Sequence, residues 1–359
     1  MTALIAQCAS ALAALLVASS VYAQSLDDLR LNQTRMEGSH NSYRKFPSPA
    51  EEARIKSLAL QYWPGLEYGH PPLESQLALG LHQFEIDVAA DPKGGLYAGP
   101  YADGTPEVKA LMAAPGAKVM HIPGLDTETN CLTFRKCLAI FARWSEAHPN
   151  HDPIVILVNS VDWPPMPVIW PNNALFTQAD IDALNQDIAD VIGPARVITP
   201  DEVRGDHATL REAVTAGAWP KVGALRGRFL FVLDGNGAHE TFLRTGHPSL
   251  KGRLMFGWFD EDAPEAAVFN LHPIKDADGI RRLVKEGFIV RVQADADVVE
   301  ARAHDRRRMK AALASGAQWI STDFYAGVPD PDAIGYTADF EGPMFRCNEI
   351  TATCPRMGQ

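Results

Sequence analysis

Residues 38–43, GSHNSY, set a histidine beside an asparagine just after a short segment that could be a buried strand. An imidazole with an ordinary pKa of about 6.5 can move protons near neutral pH, and an asparagine side-chain oxygen can face a cation. The stretch QFEIDV (83–88) adds two carboxylates, Glu85 and Asp87. Placed two apart on a strand, both project from one face. Without a cation or basic group between them they would repel and raise one pKa. Oxygens from Glu85, Asp87 and Asn41 suit a hard ion such as Ca²⁺, with Mg²⁺ as the alternative, better than they suit zinc. A plain salt bridge is the competing reading of the two carboxylates. His121, in AKVMHI (117–122), would face His40 across the same opening, the pair supplying one acid and one base. The remaining histidines, His70 among them, lack that setting and are read as structural.

Elements must bring these residues together. Short apolar runs of the kind that form buried parallel strands recur at RMEGSH (35–40), QFEIDV, AKVMHI, PIVILV (153–158), RFLFVL (228–233), RLMFGW (253–258), GFIVRV (287–292) and QWISTD (318–323). Between several of them lie helical patterns: PLESQLALG, TFRKCLAIFARWSEAH, QADIDALNQDIADVI, DADGIRRLVKEG and VVEARAHDRRRMKAALASG. The last two end at Gly287 and Gly316, a glycine stop before the next strand. Strand and helix alternating about eight times predict a (β/α)8 TIM-type barrel, with a doubly wound sheet as the alternative. Residues 89–116 and 162–176, rich in Gly, Pro and Asn, read as long loops. No repeat or linker divides the chain, so a single domain over 24–359 is expected.

A barrel places its site at the C-terminal ends of its strands. Polar residues fall there: His40 and Asn41, Glu85 and Asp87, His121, Asn159, Asp234, Arg291, Thr322 and Asp323.

Composition narrows the class. With 44 acidic against 33 basic residues, the net charge of −11 argues against nucleic acid and against general attraction to anionic lipid. Residues 1–23 carry no charge and end in Val21-Tyr22-Ala23, a pattern that predicts a cleaved export signal. Cys8 lies within it. The remaining cysteines, Cys131 with Cys137 and Cys347 with Cys354, then read as two local disulfides, each contributing at most roughly 2 kcal/mol.

GSHNSY, HPPLESQLALGLHQFEIDV, DPKGG, AKVMHIPGLDTETNC, CLAIFARWSEAHPNHDPIVI, ITPDEVRG, RGRFLFVLDG, GFIVRVQADAD, SGAQWISTDF and RCNEITATC occur in the order seen in one family. From about residue 33 to 354 the chain resembles the Ca²⁺-dependent bacterial phosphoinositide phospholipases C, within the PLC-like phosphodiesterases of TIM-barrel fold. The resemblance implies attack of an inositol 2-hydroxyl on its neighbouring phosphorus, with loss of diacylglycerol and formation of a cyclic inositol phosphate. It implies His40 and His121 as the catalytic pair, and Asn41, Glu85 and Asp87 as calcium ligands. Arg291 is implied as a phosphate or inositol contact, Arg228 as a weaker one, and Asp323 as the holder of a basic group. The chain departs from the family where an acidic ligand is followed two positions on by a lysine. VILVNSVD has Asn159 and Val161 there, so Asn159 offers a neutral oxygen to the ion. The implied partner is a phospholipid met by transient contact of a monomer with a membrane surface. The alternatives are a glycerophosphodiester phosphodiesterase, or a binding module that has lost its metal.

Overall fold

The computed structural model describes residues 25–354, so the expected export signal lies outside the described residues. Eight parallel strands form a nearly closed barrel, a TIM-type α/β fold. They are β1 (Thr34–Ser39), β2 (Gln83–Val88), β3 (Ile154–Ser160), β4 (Phe229–Asp234), β5 (Met255–Gly257), β6 (Val268–Asn270), β7 (Ile289–Gln293) and β8 (Trp319–Thr322). They follow one another as β5-β4-β3-β2-β1-β8-β7-β6, and a parallel bridge from Trp258 to Val268 brings the two ends together. A short β9 (Phe345–Cys347) runs antiparallel to the start of β1.

Strands β2, β3 and β4 are buried on both faces and correspondingly apolar, since helices cover the outside. Each main helix is stopped and started by its own chemistry. Thr133 caps Phe134–Ala147 and Thr177 caps Gln178–Val191 through their hydroxyls, while Gly80 closes Leu73–Leu79 in the left-handed conformation (φ 94°). Leu138 and Phe141 of the first of these helices are buried against Phe84 and Phe229 of the barrel wall.

The structure departs from the sequence reading at four places. Residues 117–122 are not a barrel strand: Lys118 bridges antiparallel to Ala89 and Thr133 inside the loop after β2. Its buried ammonium pairs with Asp91 (2.9 Å) and donates to the Ala114 and Gly116 carbonyls, which anchors the segment to that loop. The missing strand is β6, only three residues long within APEAAVFNLHP and too short to show as a run. The expected helix over 298–316 is two, Val299–Arg302 and Arg307–Ser315, broken where His304 takes a positive φ. The loop 89–116 contains a helix, Pro106–Ala113, capped by Thr105.

Both disulfides form, Cys131–Cys137 with Cα atoms 5.1 Å apart and Cys347–Cys354 with 5.6 Å. The first fastens the loop that carries His121 to the helix Phe134–Ala147. The second fastens β9 to the tail that follows it. No helix among the described residues is long and apolar enough to cross a membrane.

Candidate active site

Gly38 sets the geometry at the first strand end. A Cβ there would lie 2.4 Å from the Gln83 carbonyl oxygen, so only glycine lets β1 run this close to β2. The two carboxylates on the inner face of β2 are thereby brought beside the end of β1. His40 Nε2 stands 3.8 Å from Glu85 Oε1, and its Nδ1 lies 3.1 Å from Asp323 Oδ1, just past β8. Partial burial disfavours a charge on His40, but the Asp323 and Glu85 carboxylates outweigh it and hold its pKa up to about 9. Despite its own burial, Asp323 is held well below the ordinary carboxylate range by His40.

The second imidazole has the same support. His121 Nδ1 lies 2.8 Å from Asp126 Oδ2, and Arg44 donates Nε to that same oxygen at 2.7 Å. Burial opposes a charge on Asp126, but Arg44 and His121 keep its pKa down to about 2. In both pairs Nδ1 is taken by a carboxylate, which fixes the tautomer and leaves Nε2 for chemistry. Arg44 is fully buried and also donates to the Leu66 and Tyr68 carbonyls. The Tyr68 hydroxyl in turn accepts from Asn41 Nδ2 (2.8 Å).

That last contact decides how Asn41 points. Its amide nitrogen is engaged, and its Oδ1 is buried with no hydrogen-bond partner, an arrangement that costs free energy unless something positive meets it. Glu85 and Asp87 are both buried in the same mouth. Asp87 accepts from the Tyr43 hydroxyl (2.8 Å), and burial followed by the nearby Glu85 charge lifts its pKa to about 6. An orphaned amide oxygen and two buried carboxylates therefore fit a hard cation. Among the described residues no three His, Cys, Asp or Glu side chains gather as a metal cluster, so the fit rests on two carboxylates with an amide.

The other expected residues divide. Asn159 is in the mouth, and its Nδ2 donates to Asp87 Oδ1 (3.0 Å), so it braces a carboxylate. Arg291 is also in the mouth, paired with Glu85 Oε2 at 2.6 Å and donating to Asn270. Asp323 lies in the mouth, in contact with His40 Nδ1. Arg228 is not at the site: it precedes β4, at the opposite end of the barrel, where it pairs with Glu202 (2.5 Å) and donates to the Val197 carbonyl. It stands at the start of its strand, whereas the chemistry lies at strand ends.

Further residues complete the mouth, of which Asp234 and Thr322 were expected at strand ends and His70, Asp295, Asp126, Tyr43 and Arg44 were not singled out as site residues. His70 donates Nε2 to the His40 carbonyl (2.7 Å) and lies 3.6 Å from Asp323. Asp295 accepts from the Asp323 amide (2.9 Å) and from the Thr322 hydroxyl, and burial beside Asp323 pushes its pKa up to about 7. Asp234, level with Asn159 across β3 and β4, is likewise lifted to about 7 by burial and by Glu85. Asp126, five positions after His121, and Tyr43 and Arg44, next to His40–Asn41, had proximity as their only signal.

The family model for Ca²⁺-dependent phosphoinositide phospholipase C matches residues 29–349. Among solved structures, the calcium-dependent phosphoinositol-specific phospholipase C of a Gram-negative Pseudomonas species is similar at TM-score 0.55 and 16% identity, covering 91% of this chain and 97% of that one. Its myo-inositol complex aligns at TM-score 0.54 and 15% identity, covering 89% of this chain and 96% of that one. The Streptomyces antibioticus Ca²⁺-dependent phosphatidylinositol-specific enzyme aligns at TM-score 0.53 and 19% identity, covering 82% and 94%. At these identities the structures speak for the fold. A search of the curated proteins found no match. The family match runs over nearly the whole chain, and with it the protein belongs to the Ca²⁺-dependent phosphoinositide phospholipases C, phosphoric diester hydrolases.

Proposed function

We propose that the protein is exported and cleaves phosphatidylinositol-type diesters at this mouth, with His40 and His121 as the proton-transferring pair. The observation that carries the reading is the doubled arrangement: two imidazoles, each with Nδ1 on a buried carboxylate, both acting on the Asp87 charge beside Glu85 and Asn41. One histidine takes the proton of the inositol 2-hydroxyl as its oxygen attacks phosphorus. The other delivers a proton to the departing diacylglycerol oxygen. Each step is worth roughly 10²–10⁴ in rate. Asn41, Glu85 and Asp87 would hold the calcium ion, which when bound offsets negative charge on the reacting oxygens. Arg291, buried and paired with Glu85, places a guanidinium where phosphate oxygens would enter. Two disulfides, bonds that persist in oxidising compartments, support export.

The test is product identity. Phosphatidylinositol incubated with the purified chain and followed by phosphorus NMR should yield a cyclic inositol phosphate. Release of an alcohol from a water-soluble glycerophosphodiester, with no cyclic product, would favour the sibling phosphodiesterase activity instead.

A further inference from the structure

A cavity separate from the mouth lies beside the start of β1. It measures about 650 Å³ and is bordered by β9, by the helix Arg307–Ser315 and by the tail that the Cys347–Cys354 disulfide fastens. Phe340, Phe345, Leu313, Pro343, Ile350 and Leu26 make most of its wall, and the two phenylalanines are buried. A space of this size with an apolar wall suits an organic ligand, and the few polar groups in it decide which one.

Those polar groups include two arginines. β9 runs antiparallel to the start of β1 in a register that sets Arg35 directly opposite Arg346. Opposed residues share a face, where two like charges destabilise the pairing. Arg346 is answered: it pairs with Glu37 at 3.1 Å and donates to the Pro343 and Phe340 carbonyls. Arg35 is answered only in part. Its Nη2 donates to the Leu313 carbonyl at 3.0 Å, whereas Nη1 and the buried Nε meet no acceptor among the described residues. Burial and the facing Arg346 charge, against a smaller pull from Glu349 and Glu37, bring its pKa down to about 10, so it stays charged at neutral pH. A guanidinium left this way beside an apolar cavity costs free energy that an anion in the cavity would offset.

The geometry points to a binding site for an apolar carboxylate, with its head on Arg35 and Arg346 and its chain against Phe340, Phe345 and Leu313. A planar carboxylate matches the guanidinium fork. Glu341 and Glu349, both exposed at the rim, weigh against a doubly charged phosphate monoester and favour a head of one charge. The site is independent of the diester chemistry, because Arg35 begins the strand whose other end leads to His40. Its occupant needs neither calcium nor the catalytic pair.

The experiment titrates decanoate, below its micellar concentration and in calcium-free buffer, into the purified chain, and reads the heat of binding and the melting temperature. Decanol, acetate and decyl phosphate are the comparison ligands. Wild type should bind decanoate at least about tenfold more tightly than decanol or acetate, because each of those lacks either the charge or the chain. Arg35→Met removes one of two opposed like charges, so its ligand-free midpoint should hold or rise while decanoate affinity falls about tenfold or more. Ile350→Glu, at a half-exposed rim position, should weaken decanoate by repulsion, and it decides the matter if Arg35→Met does not fold. The inference is overturned by no binding to folded wild type, by decanol binding as tightly as decanoate, or by undiminished decanoate binding in the folded variants. Tighter binding of decyl phosphate than of decanoate overturns the carboxylate assignment.

Discussion

His40 and His121 each offer a free Nε2 because a buried carboxylate holds the other nitrogen. Replacing either by alanine should lower phosphatidylinositol turnover by roughly 10²–10⁴ in protein that still folds. A folded His40→Ala protein with full activity would remove it from the reaction. Asn159 carries a second prediction. Its amide now donates to Asp87, and Asn159→Asp would set a third carboxylate beside two others. Without calcium the variant should melt lower from repulsion. With calcium it should gain more stability than wild type, corresponding to binding tighter by on the order of tenfold. Thermal denaturation across a calcium series reads both effects, and a calcium response equal to wild type would contradict the ligand set. His40, Asn41, Glu85 and Asp87 were legible in sequence because polar residues ending apolar strands have few other reasons to be there. Arg228 misled because a basic residue bordering a strand gives no sign of which end matters. His70 and Asp126 were not legible as parts of the site, since their contacts exist only once the loops after β1 and β2 have folded over the mouth.

Arg44 shows how the loops depend on single buried groups. It holds Asp126, and through the Leu66 and Tyr68 carbonyls it holds the segment that orients Asn41. Arg44→Met leaves Asp126 buried without its ion-pair partner and should cost about 3–5 kcal/mol in denaturant unfolding. A loss below about 1 kcal/mol would mean that the pair is dispensable. Most of the barrel was legible at this scale because doubly buried strands such as PIVILV and RFLFVL leave long apolar runs. Two segments departed from that signal in opposite ways. AKVMHI has a strand's pattern, yet the Lys118 ammonium, tied to Asp91 and to nearby carbonyls, keeps it in a loop. β6 holds its place with only Val268, Phe269 and Asn270, and its neighbours β7 and Trp258 supply what its sequence cannot.

For the whole molecule, buried carboxylates set how stability follows pH. Burial, which outweighs its Arg346 partner, lifts the Glu37 pKa from 4.5 to about 7, and Asp295 rises from 3.8 to about 7. Through that window the unfolded chain releases protons that the folded chain keeps, so stability should fall as pH rises from about 4 to about 7. Glu37→Gln should flatten that slope in melting curves taken across the window, and an unaltered slope would place the protons elsewhere. Strand ends, loops and charge converge on one mouth, where we place the proposed calcium-dependent diester cleavage. The most direct test is the rate of phosphatidylinositol cleavage by the purified chain with added calcium and with a calcium chelator, the cyclic inositol phosphate being measured. Product should form with calcium, and nearly all of it should be lost with the chelator. Equal rates under both conditions, or no product from folded protein in calcium, would contradict the proposal.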